Sequence, residues 1–184
     1  MHPDDAVRVS RLDGPAAARA EDLFRLVYAE AFAEPPYRES AADVEAAFRR
    51  FRTHTAAPSF RGAPATAADA GPVGIAYGRP LAADTKWWEP LHDRTTDEDR
   101  REDGRRTFGL MELAVRKAHR RRGVARRLHD ALLSGTGAER AVLHVHAANT
   151  AAVAAYRAWG YEELATTRPW PGAAPHHVLL LPLH

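Results

Sequence analysis

The chain has 184 residues, 45% of them apolar and 27% charged, a length and balance that suit one compact soluble domain and exclude a disordered tail. Its 26 Lys+Arg against 24 Asp+Glu leave a formal net charge of +2, too little for the field of a dedicated nucleic-acid or membrane-surface protein. Cysteine is absent, which removes disulfide frameworks, thiolate zinc sites and cysteine nucleophiles together.

The opening MHPDDAVRVSRLDGP contains no apolar signal segment, and no apolar run approaches the roughly 18 residues of a membrane span, so a cytoplasmic protein is expected. Residues 6–12 alternate apolar and polar, the pattern of a half-buried strand. Gly14-Pro15 opens a helix, because proline at the first helical position loses no needed N–H. Leu23, Phe24, Val27, Tyr28, Ala31 and Phe32 continue it at helical spacing until Glu34-Pro35-Pro36-Tyr37 breaks the pattern. Ser40 caps a second helix with Val44, Ala47, Phe48 and Phe51 as its buried stripe, ending near Thr53.

Two short strands follow, SFRGAPAT and GPVGIAYG. Residues 79–106 are dense in charge and lack periodicity, which predicts an inserted, partly mobile loop with one short helical turn. TFGLMELAV reads as a central strand carrying one carboxylate, Glu112. A basic loop leads into a helix over 124–134 with Val124, Leu128, Ala131 and Leu132 on its inner face. AVLHVH is another strand, Asn149 caps a helix to about Ala158, Gly160 stops it, and strands at 161–165 and 177–181 close the chain. The sum is one mixed α/β (α+β) domain over 1–184 with a helical crossover between central strands.

The most informative stretch is Leu113-Ala114-Val115 followed by Arg120-Arg121-Arg122-Gly123-Val124-Ala125. A strand feeding a glycine turn at a helix N-terminus presents free N–H groups at the positive end of the helix dipole, a setting that holds phosphate. Neither a P-loop nor a dinucleotide fingerprint is present. Eight basic residues lie between Arg116 and Arg127, counting Lys117 and His119. A charge run of this kind is also read as a solvated face or a nucleic-acid patch, but neither would require a glycine at the turn.

This segment resembles the GNAT superfamily of acetyl-CoA-dependent N-acyltransferases, whose pyrophosphate loop reads R/Q-x-x-G-x-G/A. The later Leu143-x-Val145, Asn149, Ala152, Tyr156 and Gly160-Tyr161 are similar to a second segment of that family. The resemblance implies a mixed, mostly antiparallel sheet of about six or seven strands with about four helices, and acetyl-CoA as co-substrate with no metal. It implies that backbone groups at Leu113, Ala114 and Val115, the loop from Arg120 to Arg126, and Asn149 contact CoA. It implies Tyr156 as the proton donor to the departing thiolate. Glu112 and His144 are the candidate bases, His144 having the better ordinary pKa of about 6.5.

Competing readings make Tyr156 a core residue, Asn149 a helix cap, and Glu112 a structural carboxylate. Trp87 and Trp88 pin the insertion or wall the acceptor subsite. Phe32 and Tyr37 have a claim to that subsite because the loop between the first two helices borders it in this family. The acidic Glu30, Glu34, Glu39 and Asp43 suit a cationic acceptor or simply face water. His144, His146, His176 and His177 match no known zinc spacing. The expected partner is a small-molecule or peptide amine, without membrane or nucleic acid, and a homodimer is allowed. A non-catalytic acyl-CoA-binding regulatory domain is the alternative.

Overall fold

The computed structural model describes residues 7–183. Its seven strands form one sheet in the order β1-β2-β3-β4-β5-β7-β6. They are β1 (Val7–Val9), β2 (Arg61–Ala67), β3 (Gly71–Pro80), β4 (Thr107–Val115), β5 (Arg140–His146), β6 (Glu162–Thr167) and β7 (His176–Pro182). All the pairings with a defined register are antiparallel except β4 with β5. The helices are α1 (Gly14–Arg19), α2 (Glu21–Phe32), α3 (Ala41–Thr55), α4 (Asp97–Arg100), α5 (Val124–Leu133) and α6 (Thr150–Ala158). Contacts divide the chain into two compact units: residues 7–79 with 110–135, and residues 80–109 with 136–183.

In the first unit the alternation read over 6–12 shortens to β1 and an isolated bridge from Leu12 to Gly62; Ala6 lies outside the described residues. The single helix read from Gly14 is two, parted at Ala20. Asp13 caps α1 by accepting the Ala16 N–H at 2.9 Å, and Gly14 is obligatory because a Cβ there would lie 2.0 Å from the Thr55 carbonyl oxygen. Ser40 caps α3 as expected and does so reciprocally with Asp43; the helix runs two residues past the expected end.

Phe24, Phe48, Phe51 and Tyr77 meet edge-on or tilted at 5.0–6.1 Å and form the centre of this unit's core. Each such ring contributes about 2–3 kcal/mol by leaving water. At the far end of α5, Arg61 donates to the carbonyls of Ser134 at 2.6 Å and Gly135 at 2.7 Å, placing a cation where the helix dipole is negative.

In the second unit β5 and β7 pair along seven residues from Arg140↔Pro182 to His146↔His176. The charged segment after β3, expected as an inserted loop with one short helical turn, carries two. It contains a 3-10 turn over Glu89–Arg94 and the helix α4, capped by a Thr96–Asp99 box. Trp88 and Leu91 are buried with Leu81, Val142, Ala165 and Val178. Beneath them the Glu102 Oε1 accepts from Trp88 Nε1 at 3.0 Å, Thr107 Oγ1 at 2.6 Å and the Arg140 guanidinium at 3.1 Å. Arg140 also lies 4.7 Å from the centre of the Trp88 ring. The missing periodicity is explained by this network: two buried apolar anchors, Trp88 and Leu91, and a buried ion pair order a stretch whose apolar residues follow no regular spacing.

Removing one partner of a buried ion pair leaves the other uncompensated. Glu102→Ala should therefore lower stability by about 3–5 kcal/mol in urea denaturation, with Glu102→Gln recovering part of the loss.

Candidate functional site

The strand, loop and helix singled out by sequence form as read, and they belong to the first unit. β4 ends at Val115, a 3-10 turn spans Lys117–His119, and α5 starts at Val124 with Gly123 as its N-cap. Gly123 has φ +76° and Arg121 has φ +61°. The left-handed region costs a side-chain-bearing residue energy that glycine is spared. No side chain caps α5, and a Cβ at Gly123 would face open space. The first N–H groups of α5, which have no intrahelical partners, are thus not met by a side-chain cap.

The arginines divide into two sets. Arg116 Nε contacts Glu30 at 2.6 Å, and Glu34 receives Arg120 at 2.7 Å and Lys117 at 3.3 Å. Arg120 Nε donates in addition to the Val115 carbonyl at 2.9 Å. Arg126 pairs with Asp130 one turn on, at 2.9 Å, and Arg127 donates to the Val7 carbonyl at 2.8 Å. Among the described residues no ion pair or hydrogen bond engages the side chains of Arg121 and Arg122. The cations left without an internal partner are therefore fewer than the charge run suggested.

On β4, Leu113 is half-buried while Ala114 and Val115 are buried. Burial pushes the Glu112 carboxyl up to about 8, with the Glu39 carboxylate adding to the rise and Arg50 opposing it. Glu39 is itself raised, chiefly by burial. Its Oε1 accepts the Tyr28 hydroxyl at 3.0 Å, and its Oε2 is buried without a hydrogen-bond partner. Tyr28 stacks on Phe32 at 4.3 Å, and Phe32 meets Tyr37 edge-on at 4.6 Å. Sequence reasoning named Glu39 only as one acid among four and did not foresee its coupling to Glu112. Pairing of residues 73 positions apart has no local signature. Of the other acids in that group, Asp43 serves the α3 cap and Glu30 and Glu34 answer the basic loop.

In the second unit Asn149 caps α6, its Oδ1 accepting the Ala152 N–H at 3.1 Å. Tyr156 is 7% exposed, between Trp159 and Tyr161 with ring centres 5.4 Å away on either side. His144 lies against Trp87 at 5.1 Å. Although solvent reaches part of it, its pKa falls to about 4 through desolvation and then the nearby His176. The folded surroundings thus shift the two candidate bases in opposite directions, Glu112 upward and His144 downward. Trp88, 3% exposed and bound to Glu102, takes the anchoring role; Trp87 remains half-buried beside His144. Among the described residues no group of three or more His, Cys, Asp or Glu is placed to hold a metal ion, and no helix is long and apolar enough to cross a membrane.

A family model described as the acetyltransferase (GNAT) family matches residues 21–161. The chain belongs to this family and is an acyltransferase. No curated protein matches it by sequence. Among solved structures it is similar to the ribosomal-protein-S18-alanine N-acetyltransferase of Escherichia coli, with 18% identity, a TM-score of 0.62 and coverage of 96% of this chain and 94% of that one. NAA60 of Arabidopsis thaliana, solved with a bisubstrate analogue, gives 16% identity and a TM-score of 0.62 over 97% and 99%. The NatC complex bound to Gag peptide and CoA gives 15% and 0.63 over the same shares.

A carboxyl with a raised pKa keeps in the folded chain a proton that the unfolded chain releases. That destabilises the fold progressively as pH rises from the ordinary value of 4.5 through about 8. Glu112→Gln removes the penalty, so it should gain about 2–4 kcal/mol at pH 9 and little at pH 5 in thermal unfolding.

Proposed function

We propose that this acyltransferase moves an acetyl group from acetyl-CoA directly to a primary amine of a small molecule or peptide. The observation that carries the reading is the start of α5: free N–H donors behind a left-handed Gly123, flanked by Arg121 and Arg122, whose charges are not internally spent. These residues fit a pyrophosphate, since the loop supplies both backbone donors and net positive charge. Peptide amines gain support from the neighbours whose descriptions name a ribosomal-protein alanine and a bound peptide.

In the transfer, the amine lone pair attacks the thioester carbonyl carbon, the new C–N bond forms and the C–S bond breaks. Glu112 takes the proton that the amine nitrogen loses, and the Tyr156 hydroxyl donates one to the thiolate. A base with its pKa near the working pH is matched to that task, and Glu112 at about 8 is better placed than His144 at about 4. Asn149 and the backbone of 113–115 take the pantetheine arm in this reading, while Phe32, Tyr37 and Trp87 contribute to the acceptor side. A chain without cysteine has no thiol to carry the acetyl group, consistent with direct transfer.

Isothermal titration with acetyl-CoA, with CoA and dephospho-CoA as controls, tests the donor half without an acceptor. Saturation near one site per chain is expected, and Gly123→Glu should abolish it by strain, crowding and charge repulsion. Unchanged affinity in that variant would refute the phosphate-loop assignment. For a reactive amine, kcat/KM should rise with pH through about 8 as Glu112 ionises; Glu112→Gln should lower kcat/KM and leave only the rise that comes from deprotonation of the amine. Tyr156→Phe should lower kcat at least tenfold, roughly the lower range for a lost proton donor, with CoA affinity nearly intact.

A further inference from the structure

The first arginine of the basic loop is committed elsewhere. Two donors of the Arg120 guanidinium are used within the protein, Nε on the Val115 carbonyl at 2.9 Å and one terminal nitrogen on Glu34 at 2.7 Å. Glu34 lies in the loop between α2 and α3, and its second oxygen receives Lys117 at 3.3 Å. One turn earlier on α2, Glu30 holds Arg116 at 2.6 Å. Arg116 is fixed at its other end by its own N–H, which donates to the Val73 carbonyl at 2.9 Å. Three cations of the segment after β4 thus face two carboxylates of α2 and the loop that follows it. Both contacted cations hold Glu34 below the usual carboxylate range, Arg120 foremost.

Glu34 also organises its own loop. Its carbonyl accepts the N–H groups of Tyr37 at 3.1 Å and Arg38 at 3.0 Å, and Glu39 N–H closes the turn on the Phe32 carbonyl at 2.9 Å. The residue that grips the basic segment is therefore the one on which the segment carrying Tyr37 and Glu39 is folded.

We infer that Arg120 and Lys117 form an ionic clasp on Glu34 that positions the 33–39 loop, and that Arg120 is a positioning residue for the acceptor side rather than a ligand of the donor's phosphates. The inference rests on the acetyl-CoA reading above for the assignment of the two sides. It divides the basic run by job: Arg121 and Arg122 with the N–H groups of α5 meet the donor, while Arg116, Lys117 and Arg120 hold the acceptor loop. Exposed ion pairs are modest and weaken with salt, so the clasp sets a loop's populations rather than the stability of the fold.

Glu34→Gln tests it, with three readouts. CoA affinity by calorimetry should stay within twofold of the parent. Hydrogen exchange of the Tyr37, Arg38 and Glu39 amides should quicken about fivefold at low salt, as expected for loss of a surface ion-pair network. With acetyl-CoA and the most reactive member of a set of heptapeptides with free amino termini, KM for the peptide should rise about fivefold while kcat stays within twofold. The charge-exchanged double variant Glu34→Arg with Arg120→Glu should restore exchange and KM together but only in part, because the new cation at position 34 still faces Lys117 and the carboxylate at position 120 cannot donate to the Val115 carbonyl.

A fivefold or larger change in CoA affinity on Glu34→Gln would overturn the division of labour, because Arg120 would then be serving the phosphates. An unchanged peptide KM would overturn the positioning role whatever the exchange rates. If no peptide reacts, the acceptor reading is what fails, and the clasp is decided by the other two readouts: unchanged exchange overturns it, and faster exchange at constant CoA affinity sustains it.

Discussion

β4 imposes the constraint on which the rest depends: a nearly continuous apolar strand, TFGLMELAV, must keep one carboxylate at its sixth position. The strand contributes to both compact units, Thr107–Gly109 to one and Leu110–Val115 to the other. Where its N-terminal part pairs in parallel with β5, Thr107 is fully buried and needs its hydroxyl satisfied by Glu102 and Arg140. Where its C-terminal part lies in the first unit, burial pushes the Glu112 carboxyl up to about 8, with the Glu39 carboxylate adding to the rise. A group so placed costs stability when ionised.

The end of β4 then sets the chemistry of the loop. A chain leaving a strand and entering a helix within nine residues must turn sharply, and Arg121 and Gly123 provide the turn with positive φ. The result leaves α5 uncapped at its N-terminus, while its other end is covered by Arg61 and Arg11. An electropositive end without a side-chain cap, and a negative end answered by cations, are two consequences of one helix dipole.

Electrostatics within the first unit also limits how much of the basic run is left unpaired. Glu30, Glu34 and Asp130 each take up part of it, so the free field is narrower than the count implies. A counted charge measures what a segment could attract, whereas a paired one measures what its own protein has already bound. This distinction moves Arg120 from the donor side to the loop it holds.

Periodicity and capping chemistry determined much by themselves. The Ser40 cap, the bounds of β4, the glycine start of α5 and the Asn149 cap are all local, decided by residues within one or two turns of each other, and each formed where the sequence places it. The family was legible for the same reason, since its loop and its α6 segment are contiguous strings. Tertiary structure alone decided what depends on residues distant in the chain. It broke the first helix at Ala20, ordered residues 79–106 around Trp88 and Glu102, raised Glu112 through burial with Glu39 adding to it, lowered His144 through desolvation, and matched Glu34 to Arg120. Each of these is a desolvation or a pairing across at least a dozen residues, or a packing choice imposed by them. No local pattern encodes such a partner, because its energy exists only once the chain has folded.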